Sequence, residues 1–200
     1  MKTYPVHYSP SLDLAEGELL EDFTFPWLDR PCPWTSFRAV WNDRHLGFRF
    51  EVEDDDLVLD DSSDPDQAAL GSDRVELFFA SSADLREPYY GAEMEPRGGV
   101  YDYEARFHRK IDGGWTFPGL EFSGEILEGG YAVEGSFSLD VLRGLGCLKE
   151  LEMIAGVYRA EFSHGPDGIV QNWISWVDPK VAKPDFHVPS SFGKFLFTGR

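Results

Sequence analysis

His45-Leu46-Gly47-Phe48-Arg49-Phe50-Glu51-Val52-Glu53 places Leu46, Phe48, Phe50 and Val52 on one side of an extended chain. Gly47, Arg49, Glu51 and Glu53 fall on the other. A strict period of two is the signature of a strand with one buried face. Immediately upstream, Phe37-Arg38-Ala39-Val40-Trp41 has the same character, and Asn42-Asp43-Arg44 supplies the turn. The two segments therefore predict an antiparallel hairpin. Arg74-Val75-Glu76-Leu77-Phe78-Phe79 alternates again, with Val75, Leu77 and Phe79 toward the core.

Working outward, strands are expected over 89–95, 100–108, 120–127, 131–137, 151–162, 170–176 and 194–198. The pairs Gly98-Gly99, Gly113-Gly114 and Gly129-Gly130 punctuate them, and glycine supplies the positive φ that tight hairpins need. Only residues 139–145 read as a helix. The expected fold is all-β, an antiparallel β-sandwich of immunoglobulin or jelly-roll type with one short helix. Two hundred residues suit a single domain over 1–200.

Charge narrows the function. The formal net charge is −18, from 36 acidic and 18 basic residues. Such a surface repels phosphate backbones and anionic lipid, so neither nucleic acid nor membrane is an expected partner. No apolar run approaches the ~20 residues of a spanning helix. The first residues, Met1-Lys2-Thr3-Tyr4-Pro5-Val6-His7-Tyr8, lack the apolar stretch of a secretory signal, which fits a chain kept inside the cell or one whose signal has been removed. Cys32 and Cys147 have no metal-ligand spacing and are expected as reduced thiols. Aromatic residues make up 15% of the chain, with 16 Phe, 8 Tyr and 6 Trp, and together with 20 Gly and 13 Pro spread through short turns they point to a turn-rich β protein.

The order of motifs resembles the carbohydrate-binding modules of family 9, relatives of the DOMON-type sandwich. Ala39-Val40-Trp41-Asn42-Asp43 leads through Leu46-Gly47-Phe48 to Val52-Glu53-Asp54-Asp55, similar to that family's opening hairpin. Ser72-Asp73-Arg74-Val75-Glu76-Leu77-Phe78 resembles its D-S-V-E strand. Ile174-Ser175-Trp176-Val177-Asp178-Pro179, with Phe186-His187-Val188-Pro189 and Ser191-Phe192-Gly193-Lys194-Phe195, is similar to its closing segment. The likeness covers about residues 20–198. It implies a non-catalytic module that binds plant-type polysaccharide or oligosaccharide, works with a glycoside hydrolase, and has loops braced by calcium.

Carried over residue by residue, the resemblance makes Trp176 the stacking plate and Glu76 a hydroxyl acceptor, with Trp173 in the core. Glu76 equally suits an ion pair with Arg74 or Arg159. The stretch 64–71 holds no aromatic where the family has its first tryptophan, which leaves a one-sided platform or a substitute from Tyr89, Tyr90 or Trp115. Glu93 and Arg74 complete the candidate set. Calcium candidates are Asp54, Asp56, Asp60 and Asp73, within or beside an Asp-rich run that reads equally as a solvated acidic loop. Two further classes stay open: a glycan-processing enzyme using alternating carboxylates such as Glu93/Glu95, and a haem domain using Met94 or Met153.

Overall fold

A computed structural model describes all residues, Met1–Arg200. The strands are β1 (Thr3–Tyr8), β2 (Thr35–Trp41), β3 (His45–Glu53), β4 (Arg74–Ala80), β5 (Tyr89–Met94), β6 (Val100–Arg106), β7 (Lys110–Asp112), β8 (Leu120–Leu127), β9 (Gly130–Ser138), β10 (Leu148–Lys149), β11 (Glu152–Gly165), β12 (Gly168–Ser175) and β13 (Gly193–Thr198). They form one curled sheet in the order β7-β6-β5-β4-β11-β13-β1-β2-β3-β9-β8, with β10 and β12 also paired to β11. The sheet folds back on itself into two layers. Val75, Leu77 and Phe79 of β4 meet Phe48, Phe50 and Phe137 of the opposite layer in one core, and the Phe79 and Phe137 rings cross edge to face at 4.9 Å.

The opening hairpin forms as its alternation predicts, with Phe37 opposite Phe50 and Trp41 opposite Leu46. Two features differ from the expectation. First, β1 pairs in parallel with both β13 and β2, so the sandwich is not wholly antiparallel. Parallel neighbours need a long crossover, and β1 gains β13 from the far end of the chain. Second, the acidic segment ends in a helix, α1 (Pro65–Gly71), ahead of the expected one, α2 (Leu139–Gly144). Asp64 caps α1 by accepting the Asp66 amide, Pro65 starts it, and Ala68 and Ala69 bury one side. Asp-Pro ahead of an alanine pair is a helix start that the run of aspartates hides. Cys147 is buried while Cys32 is half-buried, and the two are free thiols, as expected. No helix is long and apolar enough to cross a membrane.

What positions the site is the other face of the β4 layer. Phe78, Tyr89, Tyr103 and Tyr158 point away from the main core, yet they are buried. The segment 177–192 crosses over them, with Phe186 stacked on Tyr158 at 4.2 Å and Phe192 beside Phe78. Phe78 lies between Gly156 and Gly91 on the neighbouring strands. The Tyr158 and Tyr103 rings occupy the space that side chains at those glycines would need. This is why β4 and β5 read as continuously buried rather than alternating.

Candidate functional site

Where segment 177–192 stops covering the sheet, a cleft of about 300 Å³ opens, at the small end of ligand-binding clefts. Arg74 and Glu76 of β4 and Glu93 of β5 contribute its floor, Trp173 of β12 and Tyr101 of β6 belong to its lining, and Asp185 and His187 come from the covering segment. The floor follows from register. Glu76 and Glu93 are direct cross-strand partners, so their side chains emerge on one face, beside Arg74 two residues earlier.

Arg74 Nε donates to Glu93 Oε2 at 2.8 Å, and the Tyr103 hydroxyl donates to Glu93 Oε1 at 3.2 Å. Arg74 Nη1 donates to the carbonyls of Leu70 and Ser72. Its Nη2 lies 3.3 Å from Glu76 Oε1 but outside hydrogen-bond geometry, so that buried oxygen has no hydrogen-bond partner. The guanidinium also lies over the Trp173 ring, 5.6 Å from its centroid. Phe162 and Phe186 meet Trp173 edge to face and hold it upright.

Burial raises the Glu76 carboxyl well above the ordinary glutamate value, and the Glu93 carboxylate adds to this against the pull of Arg74. The sign follows from linkage. Stability contributed by a carboxyl raised on folding is complete below its unfolded value, about 4.3, and is lost as pH rises through the folded value. Glu76→Gln is therefore expected to flatten the fall in thermal midpoint between weakly acidic and weakly alkaline pH. Calorimetry over that range checks it, and an unchanged slope would show that Glu76 ionises alike in both states.

His187 is held down to about 3, first by burial and then by the nearby Arg109, so its ring is neutral. Its Nδ1 meets the Tyr89 hydroxyl at 2.8 Å. With that hydroxyl as donor, the ring proton sits on Nε2. Asp185 ties the covering segment to the β6–β7 turn, taking His108 Nε2 at 2.6 Å and Arg109 Nη2 at 3.0 Å.

Of the residues singled out from sequence, Arg74, Glu76 and Glu93 come together in the cleft. Tyr89 lies buried beneath its edge and positions His187. Tyr90 points the opposite way, into the main core, with Trp115 packed on it at 4.9 Å, so neither lines the cleft. Trp176 is 1% exposed. It packs between Tyr4 and Phe195, and its ring covers the position of a Gly193 side chain. It offers no face to a ligand, and the half-buried Trp173 stands in the cleft instead. Strand parity already held the signal. Trp176 alternates with Ile174, an aliphatic core residue at 0% exposure, whereas Trp173 alternates with Gln171 and Ser175. Tyr101, Arg109, Asp185 and His187 were not legible as site residues, because only the crossing of segment 177–192 brings them together.

The four aspartates proposed for calcium do not converge. Asp54 accepts from Arg159, Asp56 from His164, Asp60 from the Ser62 amide, and Asp73 from the amides of Val58 and Phe162. No three His, Cys, Asp or Glu side chains group as a metal site. These residues do not fit a calcium ion. Met94 and Met153 are both packed in the main core.

Residues 27–200 match the family described as carbohydrate family 9 binding domain-like, and the chain belongs to that family. Its fold is similar to that of a Bacteroides uniformis protein provisionally described as carbohydrate-binding (TM-score 0.76, 16% identity, 98% of this chain and 99% of that one). It is also similar to a family 9 carbohydrate-binding module from Caldicellulosiruptor kristjanssonii. That module was solved with cellotriose (TM-score 0.64, 18% identity, 100% and 95% covered) and with glucose (TM-score 0.61, 19% identity, 100% and 97% covered). A search of curated proteins found no match to this chain.

Proposed function

We propose that this domain binds carbohydrate without transforming it, and that the cleft between Trp173 and the Arg74–Glu76–Glu93 floor is where it does so. The observation that carries this reading is the buried Glu76 Oε1, which lacks a hydrogen-bond donor at the floor of a cleft lined by a half-buried tryptophan. A pyranose has apolar C–H faces for an indole and a rim of hydroxyls to donate to a carboxylate. Family membership and the glucose and cellotriose complexes of the similar module support the same ligand class.

The platform is one-sided. Trp173 and Tyr101 lie on strands four ladder steps apart, roughly 19 Å along the sheet at the usual strand spacing. Trp173 is the plate in this reading, and Tyr101 lines another part of the same cleft. The volume suits a mono- or disaccharide unit, such as the end of a gluco-oligosaccharide, better than a long stretch of polymer. In this reading the floor carboxylates bind rather than catalyse, since Glu93 is already committed to Arg74 and Tyr103. The domain would lend a glycoside hydrolase proximity to its polysaccharide.

Calorimetric titration with glucose, cellobiose, cellotriose, and xylo- and manno-oligosaccharides tests this. Saturable heat with the sugar recovered intact is the expected result. Absence of heat with every sugar would refute carbohydrate binding, and shortened products would convert the reading to an enzyme.

A further inference from the structure

We propose that the Arg159 guanidinium serves as a built-in counter-cation at the corner of the sandwich, joining the two layers where Asp54 and Asp73 lie, so that this corner neither needs nor admits calcium. Arg159 belongs to β11 and has the parity of Ala155 and Val157, which face the main core. Its side chain is 0% exposed. Nη2 donates to Asp54 Oδ2 at 2.9 Å, just beyond the end of β3 in the other layer. Nη1 donates to Thr35 Oγ1 at 3.2 Å and to the Trp34 carbonyl, at the start of β2. The guanidinium also lies over the Tyr131 ring of β9, 5.9 Å from its centroid. One cation thus reaches from one layer to three neighbouring elements of the other.

Every oxygen of the two carboxylates already accepts an N–H. Asp54 Oδ1 accepts the Asp56 amide and Oδ2 takes Arg159. Asp73, fully buried, accepts the Phe162 amide on Oδ1 and the Val58 amide on Oδ2, both at 2.7 Å. All four oxygens therefore face N–H donors. Calcium takes six to eight oxygens, and here it would have to compete with these donors and meet the Arg159 charge. A guanidinium cannot be deprotonated in a protein and offers five donors in a fixed fork, so it ties the layers together without an exchangeable ion. Asp56 and Asp60, turned to His164 and to the Ser62 amide, add nothing to the corner.

The test is thermal unfolding of the intact chain in EDTA and in millimolar calcium, for the wild type, Arg159→Gln and Asp54→Asn. The expected result is one wild-type midpoint in both solutions. Arg159→Gln is expected to unfold at least about 5 °C lower, the shift that loss of a buried ionic partner gives at this chain length. A calcium-dependent rise of the wild-type midpoint that disappears in Asp54→Asn overturns the proposal. A rise that persists in Asp54→Asn places the ion elsewhere and supports a closed corner. An Arg159→Gln midpoint equal to the wild type also overturns it. Should Arg159→Gln fail to fold, the wild-type and Asp54→Asn measurements still decide.

Discussion

Arg74→Met is expected to lower the free energy of unfolding by about 3–5 kcal/mol near neutral pH, the cost of removing one partner from a buried ion pair. Arg74 is 4% exposed and is the cation paired with two carboxylates, Glu76 at 2% and Glu93 at 5%. Methionine preserves most of the stem that packs on Phe162 and Trp173 but leaves Glu93 charged and dry. The penalty has a sign that identifies its source. Without Arg74 the buried site keeps negative charge with no counter-ion, so the loss is greatest at alkaline pH, where Glu76, raised by burial, also ionises. Adding Glu93→Gln to Arg74→Met is expected to recover part of the stability, because one of the two carboxylates left unpaired is then gone. Denaturant titrations of the single and double variants at two pH values measure this. A single variant as stable as the wild type at alkaline pH would mean that the pair reaches solvent.

The two closing tryptophans are expected to respond in opposite ways. Trp173→Ala is expected to weaken binding of cellobiose or cellotriose at least tenfold, about 1.4 kcal/mol, with little loss of stability, since the ring is only half-buried. Trp176→Ala is expected to destabilise the fold by about 3–5 kcal/mol, the range for emptying a large aromatic site in a core. Where that variant is still folded, it should bind sugar almost as the wild type does. Titration calorimetry and denaturant melts on both variants separate the outcomes. Unimpaired binding by Trp173→Ala, with loss of binding in a well-folded Trp176→Ala, would reverse the assignment and return the plate to Trp176.

These tryptophans also show where reading a sequence falls short. Period-two alternation places Trp173 and Trp176 on opposite faces and no more. Which face is core depends on the layer that packs against the strand, and only the parity of Ile174 hinted at it. The same alternation was sufficient for Arg74 and Glu76, because Val75, Leu77 and Phe79 are unambiguously apolar. Glu93 was named from the family resemblance, and the fold sets it opposite Glu76 by register. Tyr90 was misplaced for the same parity reason: β5 is buried on both faces, so its pattern carries no inside or outside.

Local alternation and turn chemistry were enough to establish a β-sandwich, its opening hairpin, most strand positions and the face of β4 that carries Arg74 and Glu76, because those properties depend on neighbours along the chain. Other features depend on segments far apart in sequence meeting in space. The parallel seating of β1 between β13 and β2 needs both chain ends. The capture of Asp54 by Arg159 spans 105 residues. The wall of the cleft at Asp185 and His187 forms only when segment 177–192 lies across Phe78 and Tyr158. Such contacts leave no periodic trace in sequence, since their driving force is burial of faces whose partners are chosen by the folded layers.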